Sequence, residues 1–140
     1  MRLFFILSSL LLISCGAQNN EPSYGKTTVR ELIEVKGEPV QEEVIPVEDS
    51  KVLHYEDGEK YQVKSGVVTS GYFNPKSEQR TLIYWKHKFK NCDVKVLKLT
   101  EKVIGHEKPE FLMKCDELGT GVVYLEDSDM ILRVIRYETI

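Results

Sequence analysis

From residue 51 onward, apolar and polar residues alternate in short runs that are separated by turn-forming residues. A period of two places successive side chains on opposite faces, which is typical of β-strands with one buried face. Asp57-Gly58 between two such runs is a strong hairpin signal, and Ser65-Gly66 marks a second turn. The predicted strands are 52–55, 60–64, 67–73, 81–89, 93–99, 110–115, 122–125 and 130–137. The pattern therefore predicts an antiparallel sheet, and the apolar residues on both faces of its last strand predict a central position for that strand.

One helix is predicted before the sheet, over residues 28–36. Thr28 and Glu31 form a capping box, Gly37 suits a left-handed helix end, and Pro39 prevents continuation. Residues 40–49 are acidic and are interpreted as a connector. No internal repeat is evident. The predicted fold is a single small α+β domain over 26–140, in which one short N-terminal helix precedes an antiparallel β-meander.

Length and charge exclude several classes of protein. The 140 residues are enough for one domain, and 19 Lys+Arg against 22 Asp+Glu give a net charge of -3, without the basic excess of a nucleic-acid binder. The N-terminal apolar run ends at Ile13 and is too short for a membrane-spanning helix of roughly 20 residues. We therefore expect neither a multi-domain enzyme nor a polytopic membrane protein, and no nucleic-acid partner.

The N-terminus has the layout of an export signal. Arg2 precedes an apolar run over 3–13, and Leu12-Ile13-Ser14-Cys15 resembles the lipobox of bacterial lipoproteins. The resemblance implies removal of residues 1–14, lipidation of Cys15 and a flexible tether over 15–25. In Gram-negative bacteria, a residue other than aspartate after the cysteine, here Gly16, implies sorting to the outer membrane. The alternative is an ordinary signal peptide followed by a coincidental cysteine.

Cys92 and Cys115 remain as an even pair in an exported chain, which favours a disulfide between them. A metal site that combines these cysteines with His54, His87 or His106 is the functional alternative, and two free thiols are another. No Cys-x-x-Cys or His-x-x-x-His spacing supports the metal site, so we expect no metal and no cofactor.

The segment from Trp85 to Lys90 alternates aromatic residues with lysines. In the predicted strand over 81–89, Trp85, His87 and Phe89 share one face, on which Trp85 and Phe89 pack inward, while Lys86, Lys88 and Lys90 share the opposite face. The lysines are a candidate surface for a partner or for anionic lipid. The alternative is a solvated face that protects a sheet edge.

No catalytic residues are predicted. The segment His54-Tyr55-Glu56-Asp57 gathers acid and base groups, but successive strand residues point to opposite faces. The sequence contains no Gly-x-Ser-x-Gly motif and no glycine-rich phosphate loop.

Residues 26–75 resemble the SmpA/OmlA family of BamE-like outer-membrane lipoproteins. The resemblance is carried by Thr28, Gly37, Glu38, Pro39, Tyr55, Asp57-Gly58, Val63, Gly66 and Val68, whereas Lys26 and Lys36 depart from the family pattern. It implies a scaffold or adaptor role in the cell envelope. The β-lactamase-inhibitor-protein fold resembles the same helix-plus-meander unit, so an inhibitor-like binding module is also compatible.

The predicted function is that of a non-catalytic, lipid-anchored envelope protein, facing the periplasm from the outer membrane. It would bind another envelope protein in outer-membrane assembly or integrity. An envelope hydrolase is the enzymatic alternative.

Overall fold

The computed structural model describes residues 21–99 and 108–139, which form two helices and one eight-stranded antiparallel sheet. The helices are α1 (Val29–Lys36) and α2 (Leu82–Lys88). The strands are β1 (Gln41–Ile45), β2 (Ser50–His54), β3 (Lys60–Lys64), β4 (Val67–Phe73), β5 (Lys95–Lys98), β6 (Glu110–Cys115), β7 (Thr120–Leu125) and β8 (Ile131–Tyr137). Their order is β1-β2-β3-β4-β8-β7-β6-β5, so the predicted central position of the last strand is confirmed.

The prediction of a small α+β domain with an antiparallel sheet is confirmed, but the sheet is not one simple meander. It consists of two four-stranded meanders that join where β4 pairs with β8. Each meander follows a helix, so there are two helices instead of the single one expected.

The two halves correspond in detail. Thr28 caps α1 and forms a bridge with Val67, while Thr81 caps α2 and forms a bridge with Met130. The last strand of each half has a break in register two residues beyond the bridged residue. These shared features define an internal structural repeat, which corrects the expectation of no repeat.

Each half buries its own hydrophobic cluster between its helix and the sheet. Leu32 and Trp85, each four residues after its capping threonine, are the buried residues of α1 and α2. The first cluster contains Leu32, Leu53, Tyr55, Tyr61, Val63 and Val68. The second contains Trp85, Phe89, Met113, Cys115, Val122, Ile131 and Val134. Phe73 packs against both clusters, so the two cores meet at the junction of the halves.

The strand predicted over 81–89 is wrong, because this segment forms α2. The Thr81 hydroxyl accepts a hydrogen bond from the Tyr84 N–H, and Trp85 and Phe89 lie four residues apart on one buried helix face. The alternation of Trp85, His87 and Phe89 imitates a strand period, but His87 is exposed. The core positions predicted for Trp85 and Phe89 are confirmed.

Two further predictions, the connector over 40–49 and the tether over 15–25, are corrected by the structure of the first half. The acidic connector predicted over 40–49 contains edge strand β1, which pairs with β2 along its whole length. The predicted tether also ends earlier than residue 25, because Pro22 is buried and the Gly25 N–H donates a hydrogen bond to the Val68 carbonyl.

The helix predicted over 28–36 is confirmed as α1, and Gly37 ends it with a positive φ of 85°. The tight hairpin turn lies at Ser65-Gly66, where both residues have positive φ, 51° and 77°. At Asp57-Gly58 only Gly58 has positive φ, in a longer turn closed by the Tyr55 N–H and the Glu59 carbonyl.

Candidate functional site

Both helices cover the same face of the sheet, and the opposite face has no covering element among the described residues. The buried strand residues of both clusters share the helix face, as the register from Leu53 through Tyr61 to Gly71 shows for the first half. Their neighbours along each strand therefore point to the opposite side. We call this second side the open face.

An apolar row crosses the second half of the open face. Leu97, Leu112 and Val123 are successive cross-strand partners on β5, β6 and β7. Leu97 is 46% exposed, whereas Val123 is fully buried although neither α1 nor α2 covers it. A Cβ on Gly121 would lie 2.8 Å from Leu112 Cδ1, so the glycine makes room for this leucine. Leu97 and the half-buried Leu112 give this row its accessible apolar surface, and accessible apolar side chains on neighbouring strands are typical of an interaction surface.

The centre of the open face is occupied by Tyr72 and Ile135, which pair across the junction of the two halves. Both side chains are half-buried. The two side chains offer a large apolar area together with one hydroxyl group, and tyrosine is enriched at the centres of protein interfaces.

The strands of the open face carry more basic than acidic side chains. The basic residues, placed by register, are Lys60, Lys64, Lys95, Lys114 and Arg133. The acidic residues are Glu43 and Glu110. Lys60 and Lys64 form no ion pair with another described residue, while Arg133 binds Glu110 at 2.9 Å. Even when Asp116, which binds Lys95 and Lys114 at one end of this face, is included, basic side chains outnumber acidic ones here, in a chain whose net charge is -3.

The carboxylate of Asp116 binds three side chains at one end of the open face, those of Lys95, Lys114 and Tyr137. Its carboxylate lies 2.8 Å from Lys95 Nζ and 3.3 Å from Lys114 Nζ, and it accepts a hydrogen bond from the Tyr137 hydroxyl. The bonds from Lys95, Tyr137 and Lys114 lower the pKa of Asp116 to about 2. Asp116 is therefore ionised at neutral pH and fixes the side chains around it.

The helix face contains a polar cleft of about 360 Å³ between the two halves. Lys36, at the end of α1, binds Glu59 and lies 3.3 Å from Asp57, and its Nζ is 5.1 Å from the centre of the Tyr55 ring. The Tyr61 hydroxyl donates to Glu59 at 2.7 Å. Lys36 therefore ties the end of α1 to the β2–β3 hairpin.

These cleft groups are held in their protonated forms. Burial, then the hydrogen bond to Glu59, raises the pKa of Tyr61 far above its usual range. Partial burial would lower the pKa of Lys36, but Glu59 and then Asp57 outweigh it and raise that pKa. A neutral phenol and a paired ammonium are poor bases and poor nucleophiles, so the network favours a structural role.

The opposite wall of the cleft is also paired internally. Arg136 lies 3.4 Å from Glu21 and donates to the Thr120 hydroxyl at 2.7 Å. The Tyr24 hydroxyl donates to Glu21 at 3.3 Å, and burial raises the pKa of Tyr24 well above its usual range. The segment that was predicted as a tether thus contributes Glu21 and Tyr24 to the polar network beside the cleft.

Cys92 and Cys115 are joined by a disulfide, with their Cα atoms 5.8 Å apart. The predicted pairing is confirmed, and it connects the segment after α2 to β6. Cys92, Cys115 and Glu117 form the one group of potential metal ligands found among the described residues. The disulfide removes both thiolates, so this group lacks the sulfur ligands that a metal would need.

Lys86, Lys88 and Lys90 do not form the row of a strand. Lys86 and Lys88 belong to the last turn of α2, Lys90 follows it, and all three are exposed beside His87. Cations at this end interact favourably with the helix dipole. The role of these lysines toward a partner or lipid stays a prediction.

The His54–Asp57 segment lies at a hairpin end, as expected. Tyr55 is buried in the first cluster, while His54 is on the open face, 3.3 Å from Glu43. The predicted lipidation site, Cys15, and the signal over 1–14 lie outside the described residues.

Sequence reasoning missed the open face because it missed α2. With residues 81–89 assigned to a strand, the positions of two helices on one side could not be derived. For the cleft on the helix face the sequence contained one signal, Lys36, since a lysine replaces the leucine that the resembled family places before the glycine.

No protein-family model, curated protein or solved structure matches the chain. In the described residues, no helix has both the length and the hydrophobicity needed to cross a bilayer.

Proposed function

We propose that this protein is a non-catalytic, lipid-anchored protein of the bacterial cell envelope that binds a folded partner protein through its open face. One observation carries the binding role. Both helices pack on the same side of the sheet, and the other side presents an apolar row and a central Tyr72–Ile135 pair. The lipobox-like segment that ends at Cys15 supports the anchor and the envelope location.

The chemistry of the open face defines the partner. Lys60 is the cross-strand partner of Tyr72, Lys64 lies opposite Val67 at the other end of β3, and Arg133 lies opposite Val123. A complementary partner surface carries apolar side chains at its centre and carboxylates around them. The expected partner is therefore a protein with an acidic surface around an apolar centre. This agrees with the scaffold or adaptor role that the family resemblance implies.

An envelope hydrolase is less well supported. In the cleft on the helix face, Lys36 and Tyr61 bind Glu59, and Arg136 binds Glu21, so these titratable groups are already paired with one another. An inhibitor-like module would use the open face too, and it would differ only in having an enzyme as its partner.

Site-specific crosslinking in intact cells tests the proposal. A photoreactive residue replaces Tyr72 on the open face, and a matched control replaces Ile83, which is 79% exposed on α2. We expect a discrete crosslinked protein from position 72 and none from position 83. In the background of Lys60→Glu and Lys64→Glu, the product should decrease by about tenfold, because like charges oppose an acidic partner.

Equal products from positions 72 and 83, or a product unchanged by the two lysine reversals, would contradict binding through the open face. An enzyme in the crosslinked band, with its activity lost on complex formation, would assign the inhibitor-like role.

A further inference from the structure

The two edge strands of the sheet carry opposite charges. Edge strand β1 has Glu42 and Glu43, and edge strand β5 has Lys95 and Lys98. Every residue of β5 is exposed, and Lys98 forms no ion pair with another described residue. Edge strands present backbone N–H and C=O groups that can pair with another strand. The sheet therefore has two complementary edges.

The direction of the strands permits these edges to meet. Each of the eight strands is antiparallel to its neighbour, so β1 and β5, at opposite ends of the order, run in opposite directions. A second molecule placed beside the first in the same orientation would bring its β1 antiparallel to β5. The helix faces of both molecules would then lie on the same side.

A register exists in which the side chains also match. With Glu42 opposite Lys98, Val44 lies opposite Val96, and all four side chains are on the helix face. Val44 is 67% exposed and Val96 is 54% exposed, so both gain from being covered. On the open face, Glu43 becomes the diagonal neighbour of Lys95. Opposite charges and β-branched pairs at these positions stabilise antiparallel strands.

The same charges oppose the alternative pairings. Two β1 strands would bring Glu42 and Glu43 against the same residues of the other copy, and two β5 strands would bring Lys95 against Lys98. A symmetric dimer through either edge is thereby disfavoured, and a head-to-tail contact is favoured.

We infer that a second copy of this chain docks edge to edge, with β1 of one molecule continuing the sheet beyond β5 of the other. The contact is heterologous, so each added molecule presents a free edge of its own, assembly continues beyond a dimer into rings or open chains, and every open face stays free for its partner. It does not depend on the function proposed above.

Sedimentation velocity of the purified full chain in mild detergent, across concentrations and at low salt, tests this inference. The average sedimentation coefficient should rise with concentration past the value of a dimer. Glu42→Lys with Glu43→Lys, or Lys95→Glu with Lys98→Glu, should weaken association by about tenfold or more. An equimolar mixture of the two double variants should restore it, because each contact then joins opposite charges.

Glu78→Lys with Glu126→Lys is the matched control for the Glu42 and Glu43 variant, since both residues are exposed, lie outside the edge strands and their replacement changes the net charge by the same amount. This variant should associate like the wild type. A monomer at all concentrations, assembly that stops at a dimer, or a mixture that fails to recover association would overturn the inference.

Discussion

Tyr72 and Ile135 pair directly across the β4–β8 junction, and each lies five residues after the bridged residue of its own half, Val67 or Met130. The approximate two-fold relation between the halves therefore passes through this pair. Because the two halves share a continuous sheet, and Phe73 packs against both cores, they should unfold together.

Leu53→Ala tests this cooperativity. Leu53 is fully buried in the first half, so the change should cost about 2–5 kcal/mol. The single tryptophan, Trp85, lies in the second half and reports on that half by fluorescence. In urea, the fluorescence and circular dichroism transitions should shift together to the same lower midpoint. A fluorescence midpoint that stays at the wild-type value would show that the halves unfold independently.

Cys92 and Cys115 should stabilise the fold only as a bonded pair, so the loss of either cysteine should remove the whole contribution. Cys92→Ser and Cys115→Ser should each lower the free energy of unfolding by about 2–5 kcal/mol, with the double variant no worse than the more affected single variant. Equilibrium unfolding under oxidising conditions, with thiol titration of the denatured protein, measures this. Additive losses, or two free thiols in the wild type, would contradict a shared bond.

We expect the ionisation of Asp116 to contribute to the loss of stability in acid. Its folded-state pKa of about 2 lies below the ordinary value, so its contribution is present above pH 4 and is lost as the pH falls from 4 toward 2. Asp116→Asn should therefore lower the thermal midpoint at pH 6, with the difference from wild type shrinking toward pH 2. Asp127→Asn, at an exposed turn residue, is the control and should show no such trend. A difference that stays constant with pH would assign the effect to packing.

The sequence predicts this fold correctly wherever the local pattern of apolar residues agrees with the packing in the folded structure. Strands over 60–64, 67–73 and 110–115 were predicted with the bounds that the structure has, because their alternation matches one covered face. In 81–89, Trp85 and Phe89 fit both a strand and a helix period, and the cap at Thr81 decides between them. The structural repeat could not be read from the sequence, because the two halves share the positions of the helix cap and the bulge but few residue types.

The open face, the main candidate site, could not be predicted for the same reason, namely that α2 was assigned to a strand. The disulfide followed from cysteine number, and Lys86, Lys88 and Lys90 were correctly expected to be exposed. The open face required knowledge that both helices lie on one side, which is a tertiary property.

The exposed lysines at the end of α2 remain a candidate electrostatic surface. Replacing Lys86, Lys88 and Lys90 with Gln should leave the fold intact, since exposed charges near a helix end contribute at most about 1 kcal/mol each. Binding to vesicles with anionic lipid should weaken, and the loss should shrink as salt rises. The control replaces the exposed Lys26, Lys76 and Lys108 with Gln. Equal vesicle binding by both triple variants would leave the α2 lysines with a solvating role alone.

The lipid anchor depends on one thiol. Cys15→Ala should abolish incorporation of a labelled fatty acid and leave the product uncleaved or soluble, because acylation and lipoprotein processing both require that side chain. Metabolic labelling followed by membrane fractionation measures both effects. Cys15→Ser is the conservative control and should behave like alanine, since a hydroxyl cannot form the thioether. Equal lipid incorporation into wild type and variant would refute the anchor, and a cleaved but unlabelled wild type would indicate an ordinary signal peptide.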